Sequence, residues 1–309
     1  MKIVIFGSGG VGGYFGGRLA QHGQDVTFIA RGAHLDAIRE NGLRVDSVDG
    51  DFIIRPAKAA DDPASIGKAD LILLAVKAWQ LDDAVQKMKP LIGDNTLILP
   101  LMNGMEHMEK LLSAFGKKHV LGGLSRISTF IEAPGHIRHV GIAPYIAFGE
   151  WDHTKSGRVQ NLVEMFKSIP GITAENPPDI QIAMWEKFIF ISATSGVGAY
   201  TRLPIGEIRA NAETRSMLQN ALEETATIAH ARGVGIAGNF VEATMQRIET
   251  IAPHVIPSMQ KDMMEGRPSE LNEQTGAVIR MGKTFNIPTP THEKIYSSLL
   301  PIEQKARSR

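Results

Sequence analysis

Along its first third the chain alternates short apolar runs with stretches of helical period. Ile3–Phe6 predicts a strand, and after a glycine turn the spacing predicts a helix from about Gly10 to Gln21. Asp25–Ala30 predicts a second strand. Leu71–Val76 and Thr96–Pro100 predict two more, each followed by a helical pattern, Gln80–Met88 and Met105–Phe115. Strands alternating with helices imply βαβ units and a parallel sheet. Leu43–Arg55 alternates instead around Asp49-Gly50, a hairpin signal, and Ser125–Phe148 predicts a second strand pair around Ala133-Pro134-Gly135. Beyond Pro177-Pro178 the texture changes. From Asp179 onward the period is helical with almost no strand signal, and Pro253, Pro257, Pro268, Pro288 and Pro290 punctuate the helices. We expect an α/β domain over residues 1–178 and a helical one over 179–309.

Length agrees with that division, since 309 residues allow two domains at about 150 residues each. Lys plus Arg number 33 and so do Asp plus Glu, so no global field exists to hold a polyanion, and nucleic acid is not an expected partner. The chain has no cysteine, which excludes disulfides, thiolate zinc sites, iron–sulfur clusters and thiol catalysis; no metal is expected. The densest apolar runs, Leu71–Val76 and Leu97–Met102, fall far short of the roughly 18 residues of a membrane span. The opening MKIVIFGSGG lacks a secretory core and reads as a buried strand. A cytoplasmic location with no membrane partner is the expectation.

Gly7-Ser8-Gly9-Gly10-Val11-Gly12 fits G-x-G-x-x-G, directly after one strand, opening a helix and ahead of a second strand. That context calls for a tight turn at Gly7, close approach of a pyrophosphate at Gly9 and helix–strand packing at Gly12. The helix start offers N–H groups and positive dipole to the phosphates. The expected architecture is thus an α/β, Rossmann-like dinucleotide-binding domain followed by an all-helical C-terminal domain. The second strand ends in Ile29-Ala30-Arg31-Gly32, with no carboxylate for the ribose hydroxyls of NAD. A guanidinium grips a 2′-phosphate, so NADP (NADPH) is the preferred cofactor, the bland alternative for Arg31 being a solvated loop residue. His34 nearby could assist, although a lone histidine in a loop is more often a bystander than a ligand. Lys77 and Asn103 follow the third and fourth strands, on the sheet edge where such folds bind ligands, although Asn103-Gly104 is also a turn that could cap the next helix.

The helix beginning at Asp179 reads DIQIAMWEKFIFISATSG, apolar nearly all round and therefore buried. Lys187 sits among Ile180, Ala183, Met184, Phe190, Ile191 and Thr194 on its face. Either its charge snorkels to water or pairs with Glu186 or Glu270, or it is a proton donor in a cleft with its pKa pulled down by burial. Ser258 after Pro257 and Glu270 after Pro268-Ser269 read equally well as helix caps and as functional groups.

The glycine loop, IARG at Arg31, VKAWQ at Lys77, MNGME at Asn103, MWEKF at Lys187, PSM at Ser258 and RPSEL at Glu270 resemble the ketopantoate reductase (2-dehydropantoate 2-reductase) family, in order through nearly the whole chain to NIPTPTHEKIY at Asn286–Tyr296. The resemblance implies NADPH-dependent reduction of 2-dehydropantoate to (R)-pantoate, a step toward pantothenate and coenzyme A. It makes Lys187 the proton donor and places Asn103 against cofactor and substrate. Arg31 and Lys77 would hold the NADP end, Ser258 the substrate carboxylate, and Glu270 the substrate or the nicotinamide-side ribose. Family members carry asparagines one and two turns after the lysine, where this chain has Ile191 and Ser195, and Ile205 in TRLPIG replaces another. A more apolar substrate pocket follows, so a sister reductase of another bulky 2-keto acid stands beside the family reaction. A non-catalytic NADP sensor would have no use for a buried ammonium, and Arg31 disfavours an NAD-linked sugar-acid dehydrogenase. A homodimer through the helical domain is expected.

Overall fold

The structure, a computed structural model, describes residues 1–308. Its elements run β1 (Lys2–Phe6), α1 (Gly10–Gln21), β2 (Asp25–Ile29), α2 (Gly32–Asn41), β3 (Leu43–Ser47), β4 (Phe52–Ile54), β5 (Lys58–Ala60) and β6 (Leu71–Leu74). They continue as α3 (Leu81–Met88), β7 (Leu97–Pro100), α4 (Glu106–Phe115), β8 (Leu121–Arg126), β9 (Thr129–Ala133), β10 (His136–His139), β11 (Tyr145–Glu150), α5 (Gly157–Lys167) and β12 (Thr173–Glu175). Helices follow: α6 (Ile180–Thr201), α7 (Ile205–Ala210), α8 (Ala212–Ala231), α9 (Phe240–Thr250), α10 (Ser258–Met264), α11 (Thr275–Phe285) and α12 (Pro290–Arg307). The chain divides into two compact units, residues 1–102 with 107–183, and residues 103–106 with 184–309.

The first unit is built on a parallel sheet of order β5-β2-β1-β6-β7. β6 and β7 are apolar and buried at every position, as strands covered on both faces must be. The order reverses between β1 and β6, and at such a switch point a crevice opens beyond the carboxyl ends of the strands. The hairpin expected around Asp49-Gly50 forms as β3–β4, and the one around Ala133–Gly135 as β9–β10; they join in a second sheet of order β4-β3-β10-β9. The third, of order β12-β11-β8, completes the unit. One hydrophobic core joins all three, with Ile5, Tyr14, Phe28, Leu73, Ile137, Phe148 and Phe166 wholly buried.

The second unit is helical apart from the short loop it borrows from after β7. α8 is its axis, burying Leu218, Ala221, Leu222, Thr225 and Ala229 against α7, α9, α11 and α12. Asp179 caps α6, its Oδ1 accepting from the Gln181 and Ile182 N–H groups at 2.8 and 3.1 Å. Glu224 of α8 does the same for α12, accepting from Thr291 and His292 N–H at 2.7 and 3.1 Å, with its carboxyl below the usual range because the His292 ring and those N–H groups outweigh burial. Among the described residues no helix is long and apolar enough to cross a membrane.

Candidate active site

At the end of β1 the chain turns through Gly7 at φ +103°, a conformation that a side chain resists. A Cβ on Gly12 would lie 2.0 Å from the Gly7 carbonyl oxygen, so α1 packs onto the turn only because residue 12 has none. Gly9, at the N-cap of α1, has nothing within 4 Å of a Cβ position, and no side chain caps the helix there. Open space over helix N–H groups is what a dinucleotide pyrophosphate needs, and the loop fits one. The Ser8 hydroxyl, however, donates to the Ile29 carbonyl at 3.0 Å, tying the loop to the end of β2 and leaving Ser8 to offer backbone. Val11 leans on the core.

Two residues that sequence reasoning passed over hold this loop. His34 binds the loop from the first turn of α2: its Nε2–H donates to the Ser8 carbonyl at 2.9 Å, while its Nδ1 accepts from the Gly135 N–H at 3.0 Å. These partners define the neutral tautomer, and burial pushes the imidazole pKa below its ordinary value, the Ser8 bond partly offsetting it. Thr129 lies over Gly10, where a Cβ would meet its carbonyl oxygen at 2.7 Å. No local pattern marked Thr129; the β9 strand brings it there.

Arg31, exposed at the start of α2, reaches across to α3 and pairs with Asp83 at 2.9 Å, a carboxylate also held by Lys87. Those two cations keep the Asp83 carboxyl below its usual range, Lys87 first. Lys77 follows β6, its ammonium 5.7 Å from the Trp79 ring centre and its N–H bonded to Gln80 Oε1. Elsewhere in the unit, Asp46, Glu132 and His136 bring ligating atoms within 4.8 Å of one another, but Arg44 and Arg138 already bind both carboxylates.

In the second unit Asn103 and Glu270, 167 positions apart, meet: Asn103 Nδ2 donates to Glu270 Oε2 at 3.0 Å. The loop carrying Asn103 is anchored one step further on, where Arg280 of α11 grips Glu106 through two bonds of 3.0 and 2.6 Å. Gly104 lies against the Glu273 carbonyl at φ +90°, closer than a side chain would comfortably allow. Glu270 itself is buried and does not open a helix; it stands in a turn ahead of α11. The preceding Ser269 is clamped from α12, its N–H and hydroxyl donating to Glu303 and its carbonyl accepting from Arg307. Beside it the Glu273 carboxyl is raised above its usual value, chiefly by burial and also by the Glu270 charge.

Lys187 is half-buried on α6, next to the wholly enclosed Met184, Phe188 and Ile189. Ile191, one turn on, is also half-buried, whereas Ser195 is fully buried and its hydroxyl has no partner among the described residues. Ile205 is buried at the head of α7. Ser258 is the exposed first residue of α10, whose N-cap is Pro257, so it is not the helix cap that the sequence allowed.

A glycine turn at the switch point of a parallel sheet, and a helical unit carrying a lysine in an apolar helix, are parts that a dinucleotide-dependent oxidoreductase uses. Comparison with known proteins makes the class specific. Residues 3–153 match the ketopantoate reductase PanE/ApbA family, and residues 179–303 match its C-terminal domain. The chain is 32% identical to an uncharacterised oxidoreductase, YkpB, of Bacillus subtilis (98% of this chain, 99% of that one). It is 31% identical to a 2-dehydropantoate 2-reductase of Mesorhizobium japonicum (96% and 95%). The crystal structure of 2-dehydropantoate 2-reductase from Geobacter metallireducens superposes with a TM-score of 0.90 at 29% identity, over 99% of this chain and all of that one. The chain belongs to the ketopantoate reductase family, dinucleotide-dependent oxidoreductases acting on CH–OH groups.

Proposed function

We propose that the protein reduces 2-dehydropantoate to (R)-pantoate with NADPH, and that Lys187 supplies the proton. The observation that carries this reading is the Asn103–Glu270 hydrogen bond, which joins two motifs 167 positions apart in the unit that carries Lys187. Arg31 and Lys77 would hold the 2′-phosphate end of the dinucleotide and the glycine loop its pyrophosphate. When bound, the reduced nicotinamide supplies a hydride to the carbonyl carbon. As charge builds on the carbonyl oxygen, the Lys187 ammonium stabilises it and then donates its proton, leaving a hydroxyl on the product and a neutral amine to be reprotonated from water. Asn103 is half-exposed, so its amide can meet a ligand while remaining on Glu270.

A second reading, reduction of another bulky 2-keto acid, is favoured by one feature: Ile191 cannot hydrogen-bond and Ser195 is fully buried. Following NADPH absorbance with ketopantoate and a panel of 2-keto acids separates the two. Ketopantoate turnover far above the rest supports the first; preference for a longer or aromatic acid supports the second. Lys187→Ala should lower kcat by about 100-fold or more, the usual worth of a general acid. Turnover near that of the unmodified protein would remove the lysine from the chemistry.

A further inference from the structure

We infer that Gln274 is a positioning residue for Glu270, a role it fills at a cost to stability. Gln274 closes the turn that Glu270 opens, its N–H bonded to the Glu270 carbonyl at 2.9 Å, and its side chain reaches back so that Nε2 donates to Glu270 Oε2 at 3.2 Å. Two amides thus converge on one carboxylate oxygen, Asn103 from the loop after β7 and Gln274 from the start of α11. They differ in one respect. Asn103 is half-exposed, whereas Gln274 has no exposed surface, so Gln274 reaches a ligand only by way of Glu270.

The other end of the same amide carries the argument. Gln274 Oε1 is buried and accepts no hydrogen bond among the described residues. Turning the amide over would not help, because Oε1 would then face a carboxylate oxygen. A buried carbonyl without a donor is destabilising relative to an apolar side chain of the same shape. Packing alone would be better served by methionine. What methionine cannot do is donate to Glu270, and the backbone on the other side of that residue is fixed with equal care by Glu303 and Arg307 through Ser269. The carboxylate is therefore held from its backbone and from both flanks, as a group that must present one orientation to a ligand is held.

This inference rests on Glu270 taking part in turnover, so the test separates the two. Gln274→Met, Glu270→Ala and the double variant are compared by thermal melting and by keto-acid-dependent NADPH oxidation. Gln274→Met should melt no lower than the unmodified protein and lose about tenfold in kcat, with KM for the keto acid changed less than about threefold. In the Glu270→Ala background the same substitution should cost less than about twofold, because the group it orients is gone. An equal loss in both backgrounds, unchanged turnover in Gln274→Met, or a lowered melting point with normal kcat would overturn the inference. Unchanged turnover in Glu270→Ala would instead overturn the role given to Glu270 itself.

Discussion

One imidazole helps to hold the glycine loop. His34 binds the Ser8 carbonyl through Nε2–H and receives the Gly135 N–H on Nδ1, an arrangement open only to the neutral ring. Protonation would put a hydrogen on Nδ1 facing the Gly135 N–H. Because burial lowers the pKa below the ordinary 6.5, the ring of the ordered loop binds fewer protons than the released ring. The stabilisation is complete above about pH 6.5 and is lost as pH falls from there toward the lowered value. Glutamine offers a donor and an acceptor without titrating. Thermal melting should therefore show the unmodified protein losing more stability than His34→Gln between about pH 7.5 and about pH 5.5. Parallel curves would show that His34 does not set the loop. The sequence suggested a loop at His34, which instead stands in the first turn of α2, and it could not show the ring's partners, since Gly135 lies 101 positions away.

Among the elements, the loop 103–106 and α11 act as one piece. Arg280 and Glu106 form a two-bond pair that is partly exposed, so it contributes about 1 kcal/mol or less to stability. Its effect on Asn103 is positional, since the pair anchors the loop from which Asn103 reaches Glu270. Arg280→Met should lower the melting temperature only slightly while cutting kcat/KM several-fold; a drop in stability with unaltered turnover would make the pair merely structural. This coupling was illegible in the chain, as were the three-residue strands β5 and β12, which have too few positions for an alternation and owe their existence to neighbours. The parallel pairing of β3 with β10 is likewise a long-range choice that no local pattern encodes. By contrast β1, β6, β7 and α1 were readable, because strands covered on both faces are apolar throughout and a glycine turn between strand and helix has a spacing of its own. The motifs around Asn103 and Glu270 were readable as separate polar segments; their meeting is a product of the fold.

At the scale of the molecule, equal numbers of acidic and basic residues leave no overall field, so preference between phosphorylated and unphosphorylated dinucleotides must come from local charge. Arg31 is the candidate, exposed and already steered by Asp83, whose carboxylate stays ionised because Lys87 and Arg31 hold its pKa down. A ligand that binds only the folded chain stabilises it by about 2.7 kcal/mol at a hundredfold excess over Kd, so melting curves report cofactor choice without any assumption about the substrate. NADPH should raise Tm more than NADH at the same concentration. Arg31→Ala should erase the difference by lowering the NADPH shift while leaving the NADH shift nearly as it was. Because Arg31 stands in solvent, the excess should also shrink as salt is raised. Equal shifts from the two cofactors in the unmodified protein would take the 2′-phosphate away from Arg31, and with it the proposed preference for NADPH, while leaving the glycine loop and the role proposed for Lys187 untouched.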